Sequence, residues 1–293
     1  MRTALVFPGQ GSQRAGMGAA WMSTPGWSLV AEASAALDRD LSWLLLEADA
    51  EQLRQTREAQ VATFLVCLLA LRALPPLLVS EVTVVAGHSL GEYTALVAAG
   101  VLSEADGLGL VAERAEAMQA AACAAPGTMA AVLGLPDEQV TDSCPEGVWL
   151  ANFNAPSHVV VSGGVADMAA VGDLLKAAGA RRVLPLPVGG AFHTPLMAPA
   201  RERLDRALAQ AEYAEPTLPV LANVTASPYR PGVAGLLSEQ LTAPVRWRQT
   251  LVALDVDRVV EVGPGGVLTG LVKRTRPDLT AISVTTPAAL EAL

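Results

Sequence analysis

Ser89 lies in Gly87-His88-Ser89-Leu90-Gly91, entered by the apolar, β-branched run Val82, Val84, Val85 and followed by an Ala- and Leu-rich stretch. A strand, Gly-x-Ser-x-Gly and a helix in succession form a nucleophile elbow, whose sharp turn lifts the serine hydroxyl clear of a sheet. A side chain at 87 or 91 would hold the helix away from the strand. The turn also leaves the Leu90 N–H free at the start of the new helix, aimed at negative charge growing beside Ser89. Such a serine needs a base, and the chain has three histidines. His88 adjoins the serine, and adjacent side chains diverge. His158 falls on a predicted strand of a separate small unit, where it is structural or near a cleft rim. His193 stands on a loop directly before a helix opened by Thr194-Pro195, an N-cap followed by proline at the first helical position. By elimination His193 is the candidate base.

Arg114 is the third chemically distinctive residue. On a predicted helix from about 103 to 122 its neighbours three and four positions away are Leu110, Val111, Ala117 and Met118, none able to pair with a guanidinium. Such an arginine either snorkels its head to water or meets a carboxylate from elsewhere. If its stripe faces the serine, it is an anion clamp.

The elements that must position these residues can be followed along the chain. Residues 3–7, TALVF, read as a buried strand running into Pro8-Gly9-Gln10-Gly11-Ser12-Gln13. The glycines beside Gln10 allow tight backbone turns that bring an amide near a ligand; an ordinary strand–helix connection is the alternative. The phosphate-loop ending GK[ST] is absent. Residues 17–74 read as helices, strongly apolar from about Gln60, and Ser103-x-x-Asp106 resembles a capping box before the next long helix. Residues 127–184 predict the order β-α-β-β-α-β: strand 128–133, helix 137–141, strands 148–153 and 158–162, helix 165–178 and strand 182–184. That is the split βαβ, ferredoxin-like pattern, and it predicts a small domain at 125–189 inserted into a larger one made of 1–124 and 190–293. After it come a helix from Thr194 to about Ala211, strand 220–224, helices 234–241 and 246–254, and strand 258–262. The turn Gly263-Pro264-Gly265-Gly266 carries no nucleophile or lysine and reads as structural.

The composition narrows the function classes. At 293 residues, 52% of them hydrophobic, the chain has material for about two domains and a large core. No apolar run reaches the roughly 18 residues of a membrane span, and Ala4-Leu5-Val6-Phe7 is too short for a signal peptide. Cys67, Cys123 and Cys144 show no metal spacing, and three scattered thiols fit a reducing cytoplasm. A net charge of −9, with Lys176 and Lys273 as the two lysines, argues against a broad nucleic-acid-binding face.

Taken jointly, Phe7-Pro8-Gly9-Gln10-Gly11-Ser12-Gln13, Gly87-His88-Ser89-Leu90-Gly91-Glu92-Tyr93, Arg114 with Met118-Gln119, Gly190-Ala191-Phe192-His193, and Gln240-Leu241 with Pro244-Val245-x-Trp247 resemble malonyl-CoA:acyl carrier protein transacylases. The resemblance implies an α/β fold in which an α/β-hydrolase-like large domain carries the ferredoxin-like insert. It implies that Ser89 carries the acyl group, that His193 is the general base held by the main-chain carbonyl of Gln240, and that the amides of Gln10 and Leu90 form the oxyanion hole. It further implies that Arg114 binds the malonyl carboxylate, with Met118 and Phe192 lining the substrate site; Ala191-Phe192 looks like the malonyl-selective form of its loop. His158 stands where relatives often have Gln, and Gly189 where many have Ser, which bears on the shape of the cleft.

The implied substrates are malonyl-CoA and holo acyl carrier protein of fatty acid or polyketide synthesis, with no metal or redox cofactor. An acidic carrier would need a local basic patch on this acidic chain; Lys176, Arg181 and Arg182 on the insert and Lys273, Arg274 and Arg276 near the C-terminus are the candidates. A cytoplasmic monomer is the default expectation. The rival readings are a serine esterase or thioesterase with the same elbow, and a non-catalytic binding subunit.

Overall fold

The computed structural model describes residues 1–230 and 232–292. Its centre is a five-stranded, all-parallel sheet in the order β7-β2-β1-β8-β9, formed by β1 (Thr3–Phe7), β2 (Val82–Gly87), β7 (Val220–Leu221), β8 (Arg258–Val262) and β9 (Thr280–Val284). Every residue of β1 and β8 is buried, as in a parallel sheet covered on both faces. The strand period of two divides β1 between two cores. Leu5 and Phe7 pack with the helices on one face, whereas Ala4 and Val6 join Trp247, Leu251, Leu271 and Val272 on the other.

Six helices precede the insert: α1 (Ser28–Leu37), α2 (Leu41–Leu46), α3 (Thr56–Arg72), α4 (Pro76–Ser80), α5 (Gly91–Ala98) and α6 (Glu104–Ala124). Residues 59–70 of α3 are buried without a break, so this helix runs through the core with α6 against it. Ser103 caps α6, its Oγ accepting from the Asp106 N–H at 3.0 Å.

The second sheet is antiparallel, in the order β4-β5-β3-β6, from β3 (Gly127–Leu133), β4 (Val148–Ala155), β5 (His158–Gly164) and β6 (Arg182–Pro185). Its helices are α7 (Asp137–Ser143), α8 (Val165–Met168) and α9 (Val171–Ala177), and it has a core of its own around Val132, Val159, Val161, Val140 and Leu175. The expected helix 165–178 is thus two helices. This sheet is tied to the downstream chain through β4, where Phe153 N–H donates to the Val245 carbonyl and Val245 N–H to the Ala151 carbonyl, both at 2.9 Å.

Downstream lie α10 (Ala198–Leu208), α11 (Val233–Gln240), α12 (Trp247–Ala253) and α13 (Val267–Thr275). The helix expected to run unbroken from Thr194 starts instead as a 3₁₀ turn, Pro195–Met197. Pro199, near the start of α10, cannot donate to a preceding turn. The strand expected over 220–224 stops at Leu221, because Asn223 is engaged at the elbow (below). The edge strand β9 was not anticipated. In the glycine turn, Gly263 has φ +135° and Gly266 φ +155°, and the buried Glu261 carboxylate accepts from the N–H groups of Leu268 and Thr269. This turn starts a helix and holds no reactive group.

Candidate active site

The elbow follows from steric demands that can be measured. Ser89 has φ +52°, a left-handed conformation rarely adopted by residues other than glycine. A Cβ on Gly87 would stand 1.9 Å from the Gly91 carbonyl carbon, and one on Gly91 would stand 2.0 Å from the Phe7 oxygen. The turn therefore exists only with glycine at both positions. Asn223 clamps it from below: its Oδ1 accepts from the Ser89 N–H at 2.6 Å, and its Nδ2 donates to the Gly87 carbonyl at 2.6 Å.

Ser89 Oγ lies 2.9 Å from His193 Nε2. The opposite ring nitrogen, Nδ1, lies 2.8 Å from the Gln240 carbonyl. A carbonyl only accepts, so Nδ1 carries the proton and Nε2 offers its lone pair to the serine hydroxyl. Burial, and next the nearby Arg114 cation, push the His193 pKa down to about 3, so the ring is neutral at pH 7. His88 faces elsewhere, its Nε2 being 2.9 Å from Asn154 Oδ1 and its ring tilted against Trp247. His158, half-buried at the start of β5, has no partner for Nδ1 among the described residues.

Arg114 does not snorkel. The residue is 1% exposed. Its Nη2 donates to Ser89 Oγ and to Gln240 Oε1, each at 3.0 Å, and its Nη1 donates to Gln60 Oε1 at 2.7 Å. The guanidinium also lies 5.7 Å from the centroid of the Tyr93 ring, and its Nε has no partner among the described residues. Met118, one turn along α6, accepts from Gln60 Nε2 at 3.3 Å. Phe192 is buried beside Gly190, where an added Cβ would approach its ring to 2.5 Å.

The loop carrying the Gln10 amide lies against the elbow that carries Leu90. A Cβ on Gly9 would lie 2.4 Å from the His88 oxygen and 3.6 Å from the Leu90 nitrogen, so the loop through Gln10 crosses directly over the elbow. Neither the Gln10 nor the Leu90 N–H has a partner among the described residues. In the proposed basic patch, Lys176, Arg181, Arg182, Lys273 and Arg274 are exposed. Arg276 is not free: it pairs with Asp278 and donates to the carbonyls of Leu251 and Leu254.

Three residues at this site were not singled out from the sequence: Gln60, Asn223 and Glu92. Glu92 carried two signals, as the lone acid on α5 and as part of the Gly87–Tyr93 motif behind the family resemblance.

The family model for the acyl transferase domain matches residues 4–289. The chain belongs to the acyl transferase domain family. Within it, the similarity is to malonyl CoA-acyl carrier protein transacylases. The Bacillus subtilis enzyme is 40% identical over 99% of this chain and 95% of its own length, and that of Escherichia coli K12 is 40% identical over 99% and 97%. Among solved structures, the acyl-carrier-protein S-malonyltransferase of Bartonella henselae superposes with a TM-score of 0.94 at 36% identity, covering 100% of this chain and 98% of its own. A malonyl-transacylase solved in complex with a type II polyketide synthase acyl-carrier protein superposes at 0.93, with 36% identity and the same coverage. Membership in this acyltransferase family is thus carried by the whole chain, not by the elbow alone.

Proposed function

We propose that this chain moves a malonyl group from malonyl-CoA, through an ester on Ser89, to the phosphopantetheine thiol of an acyl carrier protein of fatty acid or polyketide synthesis. One observation carries the reading: the Ser89 hydroxyl is shared between the bare nitrogen of a neutral histidine and the guanidinium of a buried arginine. A base activates the nucleophile, and a cation beside it awaits an anionic acyl group. The printed names of the relatives support the same substrates.

In the first half-reaction His193 Nε2 takes the Ser89 proton as Oγ attacks the thioester carbonyl. The oxyanion accepts from the N–H groups of Gln10 and Leu90, each such donor contributing about 3 kcal/mol in the transition state. Collapse breaks the C–S bond, and the CoA sulfur leaves with the proton from His193. Once Oγ is an ester oxygen it is a poorer acceptor, and Arg114 turns Nη2 and the unpaired Nε toward the malonyl carboxylate as a two-pronged, charge-assisted pair. Met118 and Phe192 border the acyl group. The carrier thiol then gives its proton to His193, its sulfur attacks the ester, and Ser89 leaves with that proton.

The architecture is read as an α/β-hydrolase-like domain, 1–124 and 190–293, with a ferredoxin-like insert, 125–189. The carrier docks near the insert's Lys176, Arg181 and Arg182, with Lys273 and Arg274 near the C-terminus as the second basic cluster, and the enzyme works as a cytoplasmic monomer. A serine esterase or thioesterase would have no use for Arg114 at the hydroxyl, and a binding subunit none for the neutral base. The test is incubation with malonyl-CoA alone followed by intact-protein mass spectrometry. The expected result is a malonyl adduct on Ser89 that persists until holo carrier protein is added. An adduct that water discharges as fast as the carrier does would make the chain a hydrolase; no adduct would overturn the reading altogether.

A further inference from the structure

Beneath the elbow lies a carboxylate that the reaction itself does not use. Glu92, in the first turn of α5, is 1% exposed. An acid at a helix N-terminus suits the helix dipole, but that advantage does not require burial, and a buried carboxylate is costly unless its oxygens are satisfied. Among the described residues, the partners of the Glu92 carboxylate all come from chain segments far downstream. Oε1 accepts from the Asn223 N–H at 3.1 Å and from the Tyr229 hydroxyl at 2.5 Å, and Oε2 accepts from Gln240 Nε2.

Two of those donors lead straight to the reacting groups. Asn223 grips the Ser89 N–H and the Gly87 carbonyl. Gln240 offers its main-chain carbonyl to His193, its Oε1 to Arg114 and its Nε2 to the Ser89 carbonyl at 3.1 Å. The nucleophile, the base and the cation sit on three separate elements, yet each is one residue removed from the same carboxylate.

We infer that Glu92 is a positioning residue, its carboxylate holding Asn223 and Gln240 and through them setting Ser89, His193 and Arg114 relative to one another; this rests on the reading of Ser89 as the acylated residue. Two acceptor oxygens are essential to that role. Glutamine at 92 has the same shape, but one of its two terminal atoms is a donor. Whichever way the amide is turned, an N–H faces either the Gln240 amide or the pair formed by Asn223 and Tyr229.

The experiment compares wild type, Glu92→Gln, Gln240→Leu and the double variant in single-turnover acylation by malonyl-CoA and by acetyl-CoA, with folding checked by circular dichroism. Glu92→Gln should acylate about 10- to 100-fold more slowly with malonyl-CoA, the range set by one hydrogen bond to a charged group. Its malonyl-to-acetyl preference should also fall, because Gln240 no longer fixes Arg114. Since Glu92 acts through Gln240 as well as Asn223, the loss in the double variant should be smaller than the product of the two single losses. A folded Glu92→Gln that acylates at the wild-type rate, or losses that multiply in the double variant, would overturn the inference. If Glu92→Gln does not fold, Glu92→Asp decides, since it keeps both acceptor oxygens but withdraws them by one methylene: a wild-type rate and preference there overturn the inference, and a slowed rate with lowered preference supports it. The wild-type lane separates the two readings, since a missing Ser89 adduct there overturns the function, whereas a normal adduct with an unaffected Glu92→Gln overturns only the role of Glu92.

Discussion

Replacing Arg114 with alanine should collapse the preference for malonyl over acetyl thioesters. Both thioesters present the same reacting carbonyl and differ by one carboxylate. The structure gives that carboxylate a buried guanidinium whose Nε is unpaired and whose Nη2 is held in part by Ser89 Oγ. In Arg114→Ala the malonyl carboxylate enters the site without a partner, a penalty of about 2–5 kcal/mol. Arg114 also donates to the serine in the free enzyme, so the variant disturbs acetyl transfer too, but that disturbance is common to both substrates and cancels in their ratio. The ratio of kcat/KM values should therefore fall about 30- to 5,000-fold, at 1.36 kcal/mol for each tenfold. Lysine at 114 should recover only part of it, because a point charge cannot meet the oxygens of Gln60, Gln240 and the substrate together. The assay is kcat/KM for malonyl-CoA and acetyl-CoA with one carrier protein. A ratio within threefold of wild type would show that the charge is read elsewhere.

Three further outcomes are expected. His193→Ala should slow transfer by about 10²–10⁴-fold, whereas His158→Ala, which touches neither Ser89 nor Gln240, should cost under about tenfold; equal losses in steady-state assays would refute the assignment of the base. Reversing the charge of Arg181 and Arg182 together should raise KM for the carrier and leave KM for malonyl-CoA unchanged; a rise in both would mean structural damage. Gly91→Ala should fail to fold stably, its new Cβ meeting the Phe7 oxygen, whereas Gly109→Ala, whose Cβ meets nothing within 4 Å, should gain about 0.5–1 kcal/mol in urea unfolding.

What the sequence disclosed depended on how local the cause was. The elbow was readable because its glycines answer a clash within a few residues. Arg114 was readable as an anomaly, a cation on an apolar stripe, but no local pattern could decide between solvent and site. That depended on α6 packing against α3, which sets Gln60 beside the guanidinium. The hold of the Gln240 carbonyl on His193 spans 47 residues and came into view only through the family resemblance. Asn223 left no trace because an asparagine after a strand is an ordinary turn residue, and its pairing with the elbow reaches across 134 positions. For the same reason the strand there was expected to run too long. β9 escaped notice because Thr280–Val284 is a short, half-exposed edge, without the continuous apolar run Ala4–Phe7 that marked β1.

The shared hydroxyl has a consequence for when the base becomes strong. His193 is depressed first by burial and next by the Arg114 cation, while the Gln240 carbonyl works the other way. A malonyl carboxylate seated on Arg114 cancels that cation, whereas an acetyl group leaves it bare. Removing a nearby positive charge raises the pKa of a histidine, so the base is stronger with the dicarboxylic acyl group in place. Discrimination should then appear in the acylation rate at saturating thioester as well as in KM. It should also appear in the pH profile. A group of higher pKa takes up its proton at higher pH, so the acid limb of the acylation rate should lie at higher pH for malonyl-CoA than for acetyl-CoA. In Arg114→Ala the lowering cation is gone, so the acid limb for acetyl-CoA should itself move to higher pH than in wild type. Stopped-flow acylation from about pH 2.5 to 8, a window that reaches below the His193 pKa of about 3, measures both. Coincident limbs in the wild type, with the whole preference in KM, would confine Arg114 to holding the substrate and leave the strength of His193 independent of what is bound.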